Sequence, residues 1–262
     1  MFQPLAQVLS EIKDRVDSAE RVNLFLDFDG TAVPISTDFS APRLSPRVAE
    51  TLEHLARGGW AVTTIISGRA VEDLYGRIRL DGLIYAGNHG LEIFGRNLRF
   101  VEPAASARRE QLARLCEDLG DSLEEVPGVV VEYKGLTASV HYRLADLPDL
   151  PRIEQAVRSA VALAGDLFRV SPGRKVFEIL PRTSWHKGCA VRWIVRNLDR
   201  GAKSVSIYLG DDTSDEDAFN AMPDAITIKV GKASATCARY QLPDPTAVHG
   251  FLTWLAIQEG KS

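Results

Sequence analysis

Apolar residues in the first part of the sequence form short runs that alternate with amphipathic stretches. Residues 21–28 (RVNLFLDF) are a nearly continuous apolar run that ends in Asp-Gly. This pattern is typical of a strand buried on both faces of a parallel sheet. Further strands are predicted at 60–66 and 83–86, and helices at 45–57 and 71–75. The order strand, helix, strand, helix, strand indicates parallel βαβ units.

The middle of the chain has a different order of elements. Here the pattern predicts a helix at 104–119, strands at 126–133 and 136–143, a helix at 153–164, and strands at 167–170 and 175–180. The first two of these strands are separated by Lys134-Gly135, which favours a hairpin. We therefore expect an inserted α+β domain with an antiparallel sheet.

The alternating pattern resumes in the last part of the sequence. Helices are predicted at 186–197, 216–221 and 248–258, with strands at 205–209 and 225–230. The sequence thus predicts an α/β fold in two parts. Residues 1–103 and 183–262 would form a Rossmann-like core with a parallel sheet, and residues 104–182 an inserted domain.

Composition and charge exclude several classes of protein. The chain has 262 residues and a formal net charge of -4, with both signs mixed along it, so it has no clustered basic face for nucleic acid. Its three cysteines, Cys116, Cys189 and Cys237, are far apart and odd in number, which argues against a disulfide framework. No signal-peptide pattern or run of about 18 apolar residues is present. We expect a cytoplasmic protein without a nucleic-acid or membrane partner.

The first candidate site follows the buried strand directly, in Asp27-Phe28-Asp29-Gly30-Thr31. Two carboxylates on either side of one residue, with a glycine that permits a tight turn, fit in-line phosphoryl transfer. Asp27 would attack phosphorus and carry the phosphoryl group. Asp29 would protonate the leaving oxygen and then activate water. The alternative, a helix-capping aspartate in a turn, is weaker because a buried strand precedes the unit.

Two further signals sit at predicted helix starts. Ser67 in Ser67-Gly68-Arg69 offers a hydroxyl and nearby backbone N–H groups to a phosphoryl oxygen. Lys187 could neutralise a transferring phosphoryl group. Taken alone, each residue also fits a more common role: Ser67 could simply cap a helix, and Lys187 could be a solvated lysine.

The fourth signal is acidic, GDDTSDED at 210–217. Five acids within seven residues repel one another unless a cation is bound, and hard oxygen ligands favour Mg²⁺. An acidic helix N-terminus is the alternative, and Asp217 fits that reading. The preceding apolar strand favours a metal site for Asp211 and Asp215.

With these four motifs in this order, the chain resembles the haloacid dehalogenase superfamily of phosphatases. The resemblance implies that Asp27 is the nucleophile and Asp29 the general acid/base. It implies that Thr31, Ser67 and Lys187 bind the phosphoryl group. It further implies a Mg²⁺ site made by the Asp27 carboxylate, the Asp29 carbonyl and Asp211, with Asp215 in support.

A closer resemblance is to trehalose-6-phosphate phosphatases. It is carried by LDFDGTAVPI, IISGR, AGNHGLE, VEYKG followed by HYR, KVFEILP, HKG and GDDTSDEDAF. In that family the inserted cap grips the distal glucose. The resemblance therefore implies substrate contacts in the cap and along the cleft, by Glu132, Lys134, Arg143, Glu178, Arg69, Asn88, His89 and Gly90. Without it, the charged cap residues would be read as ordinary cross-strand pairs.

These observations predict a phosphatase that converts trehalose 6-phosphate to trehalose and phosphate through an aspartyl-phosphate. The alternatives are a phosphatase for mannosyl-3-phosphoglycerate or sucrose phosphate, or a non-catalytic sugar-phosphate sensor. The sensor is disfavoured because Asp27, Asp29, Lys187 and Asp211 are all present. We expect a monomer that is linked functionally to a trehalose-6-phosphate synthase.

Overall fold

A computed structural model describes residues 5–36, 42–198, 203–232 and 235–259. In chain order its strands are β1 (Arg21–Asp27), β2 (Ala61–Ile66), β3 (Ile84–Gly87), β4 (Glu92–Gly95), β5 (Leu98–Val101), β6 (Val130–Tyr133), β7 (Ala138–His141), β8 (Phe168–Gly173), β9 (Val176–Pro181), β10 (Ser204–Gly210), β11 (Ile226–Val230) and β12 (Tyr240–Leu242). Its α-helices are α1 (Leu5–Asp17), α2 (Pro46–Arg57), α3 (Val71–Ile78), α4 (Pro103–Ser106), α5 (Arg109–Leu123), α6 (Leu150–Leu163), α7 (Lys187–Leu198), α8 (Thr213–Ala221) and α9 (Pro245–Gln258). Among these helices none is long and apolar enough to cross a membrane.

The chain divides into two compact units. The first comprises Met1–Phe100 and Trp185–Ser262, and the second comprises Val101–Ser184. The first unit is thus built from two separate stretches of sequence, and the second is inserted between them.

The first unit is a layered α/β structure. Its eight-stranded sheet has the order β12-β11-β10-β1-β2-β3-β4-β5, and the neighbours from β12 to β3 are parallel. Apolar residues of α1, α2, α3 and α9 cover one face, and those of α7 and α8 cover the other. β1 is buried on both faces, as its apolar run predicts, and it lies at the centre of the sheet.

Helix α2 shows how local sequence sets an element boundary. Ser45 accepts a hydrogen bond from the Val48 N–H, and Pro46 occupies the first turn. A serine side chain at this position satisfies a backbone donor that the helix leaves unpaired, and proline has no such donor to lose. The predicted start of this helix is confirmed.

The second unit is an α+β domain with an antiparallel sheet in the order β6-β7-β9-β8. Helices α5 and α6 pack on one face of this sheet, against apolar residues such as Val140 and Ile179. The predicted single helix at 104–119 is wrong, because the chain forms α4 and α5 with a break at Ala107-Arg108. The predicted strand at 126–133 begins only at Val130, after a turn in which Gly128 has a φ of 79°.

Candidate active site

Three candidate residues lie at or just after the ends of three adjacent strands. Strand β1 pairs in parallel with β10 on one side and β2 on the other, with Leu26 in register with both Leu209 and Ile65. Asp27 ends β1, Ser67 follows β2, and Asp211 follows β10. Because the strands are parallel, these residues share one edge of the sheet, where ligands of open α/β sheets bind.

The loop after β1 folds back on itself and brings the acidic loop close. The Gly30 N–H donates to the Val33 carbonyl at 2.7 Å. Gly30 has a φ of 93°, a conformation that side chains rarely adopt. A Cβ atom at this position would lie 2.2 Å from Asp211 Oδ2. Glycine here therefore permits both the turn and the close approach of Asp211. Thr31, which is fully buried, donates from Oγ1 to Asp211 Oδ1 at 3.3 Å.

A buried ammonium group joins the proposed nucleophile to the acidic loop. Lys187 Nζ lies 2.7 Å from Asp27 Oδ1 and 2.7 Å from Asp215 Oδ1. The Lys187 side chain is only 2% exposed. Tyr208, also buried, donates its hydroxyl to the same Asp215 oxygen at 2.7 Å. Asp215 Oδ2 accepts from the Asp212 N–H at 2.9 Å.

Burial and charge act in opposite directions on these groups. Burial raises the pKa of Asp27 well above its ordinary value, Lys187 lowers it, and Asp215 and Asp211 add to the rise. Burial lowers the pKa of Lys187, but Asp215 and Asp27 raise it well above its ordinary value. Lys187 therefore remains a cation, and its charge opposes the rise in the pKa of Asp27 that burial causes. Burial and Asp215 also raise the pKa of Tyr208, which stays a neutral donor.

The carboxylates of Asp27, Asp211 and Asp215 can hold a divalent metal ion. One ligand atom from each lies within 4.8 Å of the others. Oxygen donors in this number and spacing suit a hard cation. Asp215 accepts three hydrogen bonds from the protein, so Asp27 and Asp211 are better placed as direct ligands.

Arg69 fixes the orientation of Asp29. Its Nε lies 2.6 Å from Asp29 Oδ2, and its Nη2 lies 2.9 Å from Asp29 Oδ1. Arg69 Nη1 also contacts Asp73 at 3.0 Å, and Asp73 accepts a second bond from Arg77 at 2.8 Å. Each Asp29 oxygen therefore accepts one bond from Arg69, which leaves it a second lone pair for a proton. Arg69 thus contacts the proposed general acid/base, and its predicted role in substrate binding stays a prediction.

Backbone hydrogen bonds join the loops at Ser67 and Asn88. The His89 N–H donates to the Ser67 carbonyl at 2.8 Å, and the Asn88 N–H donates to the Arg69 carbonyl at 2.7 Å. Asn88 is fully buried, and its amide donates to Glu92 Oε1 at 2.7 Å. The Gly90 carbonyl accepts from Trp185 Nε1 at 2.8 Å, two residues before Lys187. These predicted residues therefore connect the Ser67 loop to the start of α7.

The second unit has its own polar row, on the sheet face opposite α5 and α6. Glu132 is in register with Ser139 on β7, and Ser139 is in register with Glu178 on β9. Lys134 Nζ lies 3.7 Å from Glu178 Oε1, and its side chain is only 7% exposed. Glu132 contacts His141 Nε2 at 2.9 Å. Three of the four predicted cap residues thus lie in one row.

Arg143, the fourth predicted cap residue, is held differently. It follows β7, and its Nη2 donates to the Arg174 carbonyl at 2.9 Å. This contact places it by the β8–β9 turn, and no described contact joins it to the row.

Sequence reasoning missed three polar residues that contact the candidate site residues. Tyr208 and Lys229 lie inside apolar runs and read as strand residues. His141 is the first residue of the HYR motif, and the sequence alone assigns it no role. A polar side chain within an otherwise apolar buried strand was the available signal for Tyr208 and Lys229, because burial of such a group requires a partner.

The fold of the chain is similar to the fold of solved haloacid dehalogenase-like hydrolases. A solved haloacid dehalogenase-like hydrolase from Bacteroides thetaiotaomicron superposes with a TM-score of 0.62 at 15% identity, covering 90% of this chain and 98% of that one. The C-terminal domain of C. albicans trehalose-6-phosphate phosphatase gives a TM-score of 0.81 at 23% identity, covering 97% of both chains.

Sequence comparison identifies the family to which the chain belongs. The trehalose-phosphatase family profile matches residues 25–246. The trehalose-phosphate phosphatase of Mycobacterium ulcerans is 35% identical over 266 residues, which cover 95% of this chain and 67% of that protein. The chain belongs to the trehalose-phosphatase family, and the predicted α/β fold and phosphatase class are confirmed.

Proposed function

We propose that this protein is a Mg²⁺-dependent phosphatase that hydrolyses trehalose 6-phosphate to trehalose and phosphate. The observation that carries the proposal is the buried Lys187 ammonium 2.7 Å from Asp27. A cation here supports an ionised nucleophile at the strand edge where substrates of this fold bind. The substrate follows from the family and from the activity named for its mycobacterial relative.

The proposed reaction has two steps at phosphorus. In the first, a carboxylate oxygen of Asp27 forms a bond to phosphorus while the bond from phosphorus to the sugar oxygen breaks. Asp29 gives its proton to that leaving oxygen. In the second, Asp29 takes a proton from water, and the water oxygen displaces the Asp27 carboxylate from phosphorus. Phosphate is released and both aspartates return to their starting states.

The chain's own residues prepare these steps. Arg69 holds Asp29 in one orientation, and Lys187 offsets charge on the phosphoryl group. Ser67 and Thr31 supply hydroxyls at the same edge of the sheet. Mg²⁺, held by Asp27, Asp211 and the Asp29 carbonyl, would offset phosphate charge when bound. The monomeric state, the cytoplasmic location and the link to a synthase stay predictions.

The substrate proposal is tested by phosphate release from a panel of sugar phosphates. We expect the highest kcat/KM with trehalose 6-phosphate, and little turnover of sucrose 6-phosphate or mannosyl-3-phosphoglycerate. If another sugar phosphate in the panel were turned over as well as or better than trehalose 6-phosphate, that compound would be the better candidate for the substrate. EDTA should stop the reaction, and added Mg²⁺ should restore it.

The polar row of the second unit provides a matched control for this panel. Lys134→Met removes a nearly buried cation beside Glu178 and should raise KM for trehalose 6-phosphate. Lys175→Met removes an exposed cation from the β8–β9 turn and should leave KM unchanged. An equal effect of the two variants would count against sugar recognition by the row.

Asp29→Asn should lower the rate of turnover to an extent that depends on the leaving group of the substrate. With trehalose 6-phosphate, we expect kcat to fall by about 10²- to 10⁴-fold, because the sugar oxygen must be protonated. An aryl phosphate with a good leaving group needs no such proton in the first step. It should release a burst of phenol equal to the enzyme concentration, and then turn over slowly because the second step lacks its base.

Stopped-flow absorbance measures this burst. Loss of the burst, together with an equal loss of rate on both substrates, would exclude Asp29 as the acid/base. Asp73→Asn is a suitable comparison, since Asp73 contacts Arg69 but not the reacting atoms in this scheme.

A further inference from the structure

We propose that Lys229 is a positioning residue for the metal ligand Asp211. Lys229 lies on β11, in register with Gly210 of β10, so it sits beside the start of the acidic loop. Its side chain is only 6% exposed. A lysine buried to this extent needs partners for its ammonium group, and those partners show what it does.

The Lys229 ammonium group is directed at the main chain of the acidic loop. Its Nζ donates to the Asp211 carbonyl at 2.6 Å and to the Asp212 carbonyl at 3.3 Å. Glu216 Oε1 lies 3.9 Å away. An ammonium group has three donors and no acceptor, and two of the Lys229 donors go to these carbonyls. Glu216 supplies an opposite charge rather than a hydrogen bond.

One peptide unit is thereby held at both ends. The carbonyl of Asp211 accepts from Lys229, and the N–H of the same peptide bond, which belongs to Asp212, donates to Asp215 Oδ2 at 2.9 Å. Because the peptide unit is planar, fixing its oxygen and its nitrogen fixes the rotation of the whole plane. That rotation restricts ψ of Asp211 and so limits the directions in which its side chain can point.

The direction of Asp211 is the one that the proposed metal site requires. Its carboxylate meets Thr31 Oγ1 at 3.3 Å and occupies the space left by the missing Cβ of Gly30. It also lies within 4.8 Å of the Asp27 and Asp215 ligand atoms. Lys229 thus acts on the metal site through the backbone, without being a ligand itself.

Charge and positioning predict opposite effects of removing Lys229, which makes the inference testable. A cation near the site repels Mg²⁺, so charge alone predicts that Lys229→Met binds Mg²⁺ more tightly, by about tenfold in a water-like dielectric. Loss of a group that orients a ligand weakens metal affinity by about 10- to 100-fold. We expect the weakening.

The experiment is calorimetric titration of metal-free protein with Mg²⁺. Lys229→Met should bind Mg²⁺ about 10- to 100-fold more weakly than the wild type. Lys229→Arg, which keeps the charge but moves the donors, should fall between the two. Lys232→Met removes an exposed charge three positions along the chain and should leave the affinity unchanged. Unchanged or tighter binding by Lys229→Met would overturn the inference.

Two further measurements separate the role of Lys229 from failure of the proposed Mg²⁺ site and from a folding defect. The inference rests on the proposed Mg²⁺ site, so wild-type protein must bind Mg²⁺ and Asp211→Asn must weaken that binding. Failure of either measurement rejects the site and the inference with it, whereas a normal result for both leaves Lys229→Met to test the inference alone. Circular dichroism of the metal-free variants reports folding. If Lys229→Met does not fold, Lys229→Arg decides: affinity below the wild type supports positioning, and wild-type affinity overturns it.

Discussion

Asp27→Asn is expected to remove phosphatase activity by about 10⁴-fold or more, the scale seen when a covalent nucleophile is deleted. An amide oxygen does not attack phosphorus as a carboxylate does, although it still accepts a hydrogen bond from Lys187. The fold should be retained, because Lys187 keeps its ion pair with Asp215 and a neutral amide is less costly to bury than a carboxylate. Mg²⁺ binding should be partly kept, through Asp211 and the Asp29 carbonyl.

Acid quenching during turnover measures the proposed intermediate directly. Wild-type protein should carry phosphate that hydroxylamine releases, as an acyl phosphate does, and Asp27→Asn should carry none. Asp14→Asn, on an exposed position of α1, controls for the loss of one negative charge. Undiminished turnover by Asp27→Asn would reject the covalent mechanism.

Lys187→Met is expected to lower both stability and activity. It leaves the buried carboxylates of Asp27 and Asp215 without their shared cation. Removing one partner of a buried ion pair costs about 3–5 kcal/mol in the free energy of unfolding. Loss of a charged group that stabilises a transition state lowers kcat by about 10²- to 10³-fold.

A second substitution separates the two effects. The double variant Lys187→Met/Asp215→Asn replaces one of the two unpaired carboxylates with a neutral amide. Chemical denaturation should therefore show that most of the lost stability is regained, while kcat stays low. Lys13→Met, which breaks an exposed pair with Asp17, should cost no more than about 1 kcal/mol. A double variant with restored activity would show that Lys187 serves stability alone.

The regular, strongly patterned elements of the fold could be predicted from the sequence. The apolar run of β1, the serine and proline that start α2, and the split of the α/β pattern each have a local physical cause. The α1 helix, the β4–β5 hairpin and β12 were missed. The two hairpin strands have four residues each and β12 has three, too few for periodicity to show.

Many residues of the candidate site could also be predicted from the sequence, because catalytic chemistry restricts the residue types found at strand ends. Asp27, Lys187 and Asp215 are brought together by the structure as the motifs predicted. What could not be predicted were contacts made across strands. Arg69 reaches Asp29, and Lys229 reaches carbonyls 17 and 18 residues earlier in the chain. Such pairings depend on register, which only the folded sheet defines.

The central position of β1 between β10 and β2 also has a consequence for synthesis of the protein. Lys187 and Asp27 are 160 residues apart in the chain, and Thr31 and Asp211 are 180 apart. A growing chain on the ribosome therefore produces β1, β2 and the whole second unit before β10 exists to pair with β1. Long-range parallel pairing of this kind forms slowly because loop-closure entropy is lost before contacts are gained. Asp27 is made early, but its partners Lys187, Asp211 and Asp215 are made only in the last third of the chain.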